Sequence, residues 1–324
     1  MSNEFIEQAG TRRNEASDLW AITTYFNPVG YQRRRHNFNI FRQSLDIPLL
    51  AVELASNGRH ELSSKDAEIV IPLQGETFLW QKERLLNVAL KNLPPHVRFV
   101  AWLDCDVVFL DRSWPDKARN ALASVKLLQP FASAYHLDRG ETPETFHRRP
   151  REATGRSLAS IYKSDSWQPN DFHPDTTLQF RRCCCGLAWV AHRELLDRHK
   201  FYDAMICGSG DRALAFAALG RCDDAIYAAR LGERRAQHYR QWAQPFFDSI
   251  QSSMDCLDGG LLHLWHGAIE NRNYVERHMA LAELDFDPDN DLSVGSAGEW
   301  TLREGRSDVQ TFLKNYFRNR REDG

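Results

Sequence analysis

Two carboxylates one residue apart, Asp104 and Asp106, end the apolar run Phe99-Val100-Ala101-Trp102-Leu103. At a strand end such a pair can face one way and form half a cage for a hard divalent cation, Mg²⁺ or Mn²⁺. Water and phosphate oxygens then complete the shell. Asp-x-Asp alone is a common surface turn. Here it gains weight from the apolar strand before it and from Val107-Val108-Phe109 after it. Later in the chain, His263-Leu264-Trp265-His266-Gly267 gathers two imidazoles and an indole beside a glycine that permits close backbone approach. For the histidines a metal or sugar role competes with a structural one, and for Trp265 stacking on a sugar or base competes with core packing. Gly208-Ser209-Gly210-Asp211 precedes an apolar helical run, which puts Asp211 at or near a helix N-terminus, the position of an N-cap.

These residues need a scaffold, and the first half of the chain reads as one. Leu19 to Phe26, an Arg-rich amphipathic segment from about Arg33 to Leu45, Leu49 to Ala55, and Ala67 to Leu73 alternate in the rhythm of an α/β sheet. Leu79, Leu86, Ala89, Leu90 and Leu93 recur at helical spacing, and Pro94-Pro95 ends that helix. The strand at Phe99 is apolar throughout, as a central strand covered on both faces must be. Its carboxyl end should open on a crevice, which is where ligands sit in parallel sheets. The fold class expected is therefore α/β, with a mostly parallel, Rossmann-like central sheet flanked by helices in one domain.

Trp102-Leu103-Asp104-Cys105-Asp106-Val107-Val108-Phe109 resembles the Asp-x-Asp strand of GT-A glycosyltransferases, and the likeness extends over roughly residues 19–285. It implies a nucleotide-sugar donor, with Mn²⁺ or Mg²⁺ on Asp104, Asp106 and a late histidine, for which His266 is preferred. The segment Gln81 to Asn87 would supply polar contacts to the nucleotide through Lys82, Arg84 and Asn87. Thr24 and Tyr25, in the loop region Thr23 to Pro28, would hold base and ribose. His263 and Trp265 would meet sugar or acceptor. In inverting enzymes of this type a carboxylate at a comparable helix start takes the acceptor's proton. That base role is favoured for Asp211 over capping, and a merely capping Asp211 would leave retention open. The implied divisions are a frayed arm (1–18), a nucleotide-sugar-binding half (19–137), a polar loop or lid (138–182), an acceptor half (183–285), and a charged tail with a short helix (286–324).

Composition excludes some alternatives. A net charge of −3 over 324 residues gives no global case for a polyanionic partner. The seven cysteines form no Cys-x-x-Cys pair, so Cys183-Cys184-Cys185 are expected as reduced, buried thiols. The polar N-terminus does not read as a signal peptide, and the apolar runs are too short to span a bilayer, so a soluble, cytosolic enzyme is expected. The acceptor is broadly a saccharide. Trp80 to Asn87, Leu93-Pro94 and Ala101 to Asp104 are also similar to phage-type and base-J-type glycosyltransferases, which implies hydroxymethylated pyrimidines in DNA as an alternative. Arg148-Arg149 and Arg181-Arg182 would then meet phosphates. A nucleotidyltransferase is a more distant rival, disfavoured because Thr23 to Gly30 lacks a Gly-rich basic loop. A non-catalytic sugar-binding module is another, which would have no need to keep these residues together.

Overall fold

The structure is a computed structural model that describes residues 15–56, 58–148, 151–164 and 183–324. A seven-stranded sheet has the order β11-β6-β10-β4-β1-β2-β3. Its members are β1 (Leu19–Phe26), β2 (Leu49–Ala55), β3 (Ile69–Gln74), β4 (Phe99–Leu103), β6 (Leu127–Gln129), β10 (Ala188–His192) and β11 (Met254–Cys256). Only β10 runs against the rest, so the sheet is mostly parallel, as its apolar strands require. All residues of β2 and β4 are buried.

Strand alternation explains both cores. Ile22, Leu50, Val52, Val100 and Trp102 face one side, where Leu85, Leu86, Ala89 and Leu90 of α2 (Lys82–Asn92) cover them. Leu19, Ala21, Leu49, Ala51 and Ala101 face the other, against Phe38 and Phe41 of α1 (Gln32–Ser44). Period two in the strands thus meets period 3.6 in the helices. The α/β class, with its large sheet flanked by helices, is the one expected from the sequence.

Beside it lies a five-stranded sheet that the sequence reading does not contain, in the order β5-β12-β7-β8-β9. It is built from β5 (Val107–Phe109), β7 (Ser133–His136), β8 (Gly155–Ser157), β9 (Cys183–Cys184) and β12 (Gly260–His263). These strands have two to four residues each, too short for their alternation to stand out.

Two regions differ from expectation. The described part of 138–182 is not a plain loop: α4 (Pro143–Arg148) buries Phe146, and Ser157 caps α5 (Leu158–Tyr162) by accepting from the Ser160 N–H. The remainder of that lid, with Arg149, Arg181 and Arg182, lies outside the described residues, as does the arm up to residue 14. Residues 286–324, expected as a charged tail with a short helix, hold a helix, Ser307–Asn319, and in addition a hairpin, β13 (Leu292–Val294) with β14 (Trp300–Leu302). That helix buries Val309, Leu313, Tyr316 and Phe317, and the Phe317 ring packs on Phe26 and Trp80. Its apolar stripe was hidden among charges. None of the described helices is long and apolar enough to cross a membrane.

Candidate metal and catalytic site

The two carboxylates of Asp104-Cys105-Asp106 have different nearest partners. β4 ends at Leu103, and the Asp104 N–H donates to the Leu187 carbonyl at 2.8 Å. The Asp104 carboxylate turns to α2 and pairs with Lys82 Nζ. Burial would push the Lys82 ammonium down, but Asp104, Asp211 and Glu83 outweigh it and hold its pKa above the usual lysine value. Burial raises Asp104 despite that partner. Next to Lys82, burial pushes Glu83 up to about 8, against the pull of the ammonium. Lys82 therefore serves a cluster of three carboxyl groups, of which Glu83 keeps its proton at neutral pH.

Asp211 enters this cluster from helix α7 (Gly210–Ala218; the helix before it, Arg193–His199, is α6). The N-cap position belongs to Ser209, which holds a left-handed φ of 77°, so Asp211 lies inside the first turn and does not cap it. Its Oδ1 accepts the Arg212 N–H at 2.9 Å. Two glycines clear the space: a Cβ on Gly186 would collide with Asp211 Oδ2, and one on Gly210 with the Glu83 carboxyl. The strained Ser209 turn is pinned from behind, where its Oγ meets His278 Nε2 and Arg277 Nη2, each at 2.9 Å. Left-handed Leu187 (φ 73°) is a second strained residue in the same neighbourhood. Such strain persists only where surrounding contacts impose it.

Asp106 meets two histidines. β12 lies between β5 and β7, with His263 opposite both Val107 and His136. This register sets His263 beside Asp106 at the mouth of β5 and beside His136 at the end of β7. Asp106 Oδ1 is 3.6 Å from His263 Nε2, and Oδ2 is 3.3 Å from His266 Nε2. Ligand atoms of Asp106, His263 and His266 lie within 4.8 Å of one another. Burial and Arg272 lower His266 to about 3, and with neighbouring imidazoles they lower His136 to about 4 and His263 well below the usual value. The imidazoles are thus neutral at pH 7, each with one bare ring nitrogen. Burial raises Asp106 to about 6 against the opposing charges of Arg272 and Arg34.

This set fits a divalent cation. Asp106 Oδ1 is buried without a hydrogen-bond partner, as a ligand oxygen awaiting an ion would be. Around it stand Arg272, whose Nη2 donates to His266 Nε2 at 3.0 Å, and the final residues of the chain. Glu322 is fully buried and lies 3.9 Å from His266 Nδ1. Burial alone would raise it, but Arg34 and Arg320 hold it well below the carboxylate range. Gly267 (φ 91°) admits this segment, since a Cβ there would lie 2.9 Å from the Arg320 carbonyl oxygen.

Four residues expected at the nucleotide have other surroundings. Tyr25 is buried and donates to Glu61 at 2.7 Å. Thr24 lies in β1, paired with Val52. Arg84 stacks on Trp300 and donates to the Gly298 carbonyl. Asn87 is buried and tied to the Phe201 backbone at both its amide oxygen and nitrogen. Arg84 and Asn87 thus hold α2 against the chain around Phe201 and the C-terminal hairpin, which satisfies the polar groups a nucleotide would need. Trp265 lies between Arg33 and Arg139, with guanidinium carbons 5.2 and 5.4 Å from the indole. An open cleft of about 540 Å³ runs along the carboxyl ends of β2 and β3, lined by Ala55, Ser56, Gly58, Gln74, Gly75 and Glu76. Glu83, His136 and Glu322 were not among the expected site residues. His136 and Glu322 carry no local motif and reach the site only through strand register and C-terminal packing.

No family model and no curated protein matches the chain. Among solved structures, it is similar to S. aureus TarS 1-349 in complex with UDP-GlcNAc at 13% identity, over 93% of this chain and 72% of that one, with a TM-score of 0.39. It is also similar to glucosyl-3-phosphoglycerate synthase from Mycobacterium tuberculosis with Mn²⁺, UDP-glucose and phosphoglyceric acid (11%, 88% and 86%, TM-score 0.41). A third likeness is to 4-diphosphocytidyl-2C-methyl-D-erythritol synthase from Anaerococcus prevotii (11%, 76% and 88%, TM-score 0.32). At this distance the three carry no residue roles to the chain.

Proposed function

We propose that the protein is a metal-dependent glycosyltransferase that moves a hexose from a nucleoside diphosphate sugar, a UDP-hexose, to an acceptor hydroxyl with inversion. The observation that carries this reading is the split Asp-x-Asp: a metal set on one side of the turn, and a lysine with a carboxylate base on the other. Asp106, His263 and His266 would hold the ion, while Asp104 stays engaged with Lys82. Two imidazoles with a carboxylate suit Mn²⁺ better than Mg²⁺, which prefers oxygen ligands and its own water. When bound, the ion supplies charge stabilisation for the departing diphosphate.

The chain's own groups do the rest. Lys82 and Arg272 offer cations to the diphosphate oxygens as negative charge develops there. The nucleoside end is assigned to the cleft beside β2 and β3, at the carboxyl edge where parallel sheets take ligands. Asp211 receives the acceptor's hydroxyl proton while that oxygen bonds the anomeric carbon. The electron pair of the breaking C–O bond leaves with the diphosphate. Asp211 suits this role because it neither caps its helix nor pairs directly with Lys82, yet sits among the same charges.

The acceptor is taken to be a saccharide, the broader expectation for this chemistry, with hydroxymethylated DNA as the alternative. Manganese-dependent hydrolysis of UDP-sugars, followed by transfer to candidate saccharides, tests the reading. A duplex with 5-hydroxymethylated bases serves as the second acceptor arm, read by nucleoside mass spectrometry. Absence of donor hydrolysis, with no thermal shift from any nucleotide plus metal, would sink it.

A further inference from the structure

Resting on that metal reading, we infer that His136 is a positioning residue: it sets the tautomer of His263 and so decides whether the site can accept a cation. His136 is not adjacent in sequence to any residue of the set. It arrives because β7 and β12 pair in parallel with His136 opposite His263, and the two Nδ1 atoms lie 2.7 Å apart.

The network fixes who donates. A guanidinium can only donate, so Arg272 Nη2 at 3.0 Å makes His266 Nε2 an acceptor. His263 Nε2, 3.1 Å from that same nitrogen, must then be the donor of their contact. With its proton on Nε2, His263 presents a bare Nδ1, which accepts from His136 Nδ1–H. In this arrangement His263 Nε2, the atom facing Asp106, has no lone pair to give.

Cation binding therefore requires His263 to exchange tautomers. Its Nε2 proton leaves to water, and the His136 Nδ1 proton passes to His263 Nδ1. His136, half-exposed at the strand end, takes a proton from water on its own Nε2. No net proton is gained or lost. His136 turns from donor to acceptor and then holds the ligand ring by its far nitrogen, the arrangement that orients metal-bound imidazoles. Any replacement must both donate and accept to serve.

The test is direct metal binding by the full chain, with Mn²⁺ affinity from titration and spin-echo modulation to count bound imidazoles. His136→Phe should weaken Mn²⁺ binding by about 10- to 100-fold. His136→Asn, whose amide can donate or accept, should recover most of that loss. Both variants should still show two imidazoles at saturation. The metal-free melting temperature serves as the fold control, and a variant that melts like the parent yet binds weakly supports the inference. Unchanged Mn²⁺ affinity in His136→Phe overturns it, as does wild type showing three imidazoles that fall to two, since His136 would then be a ligand itself. His263→Ala separates this from the underlying reading: if that variant binds Mn²⁺ as tightly as the parent, the metal site itself is wrong.

Discussion

The two sides of the Asp104-Cys105-Asp106 turn are built by different means. The Asp104 side draws Lys82 and Glu83 from α2, which packs on the large sheet, and Asp211 from the first turn of α7. The Asp106 side draws His136, His263 and His266 from short strands and the turn after them, with the end of the chain closing over them. One side is rich in carboxylates around a single ammonium. The other is rich in neutral imidazoles and arginines. Two carboxylates of one motif thus meet two different sets of partners, and the proposed function gives proton removal to the first set and cation binding to the second.

Several substitutions sharpen or break that division. Asp211→Asn should lower kcat by about 10³-fold, the scale of a lost general base, while Mn²⁺ affinity measured by titration stays as in the parent. If it weakens metal binding instead, the two sides are not separate. His263→Ala and His266→Ala should reverse the pattern, each weakening Mn²⁺ by more than about 100-fold, beyond the loss usual for outer-sphere partners. Gly186→Ala would push Asp211 aside, and kcat should fall by about 100-fold for a displacement near 1 Å, with an unchanged far-ultraviolet spectrum.

Smaller effects concern stability. Asn87→Ala should cost about 1–3 kcal/mol in chemical denaturation, because its Phe201 backbone partners stay buried, while nucleotide affinity is preserved. A large loss of nucleotide affinity at full stability would return Asn87 to the donor site. Glu83 titrates near pH 8 when folded and near 4.5 when unfolded, so the unfolded state releases its proton first. Its contribution to stability is complete below about pH 4.5 and is lost as pH rises to about 8. Glu83→Gln should flatten that slope, followed by melting temperature across pH.

Much of the scaffold was legible because its signals are local. The buried strand at Phe99, the helix ended by Pro94-Pro95 and the amphipathic segment after Arg33 each carry their period within a dozen residues. The small sheet was not, because strands of two to four residues show no reliable alternation. The partners of Arg84 and Asn87 within the fold were not legible for a related reason. A polar residue on a helix flank reads alike whether it faces a ligand or a distant carbonyl.

The sequence by itself determined the α/β class, the apolar strand that delivers Asp104 and Asp106 to a sheet edge, and the glycine before Asp211. Tertiary structure alone decided that the two aspartates meet different partners. It also decided that His136 reaches His263 across 127 positions, and that Glu322 lies beside His266. The physical reason is that period and composition are properties of neighbouring residues. Which carboxylate meets a lysine and which meets an imidazole depends on strand register and on the direction in which a buried chain end returns.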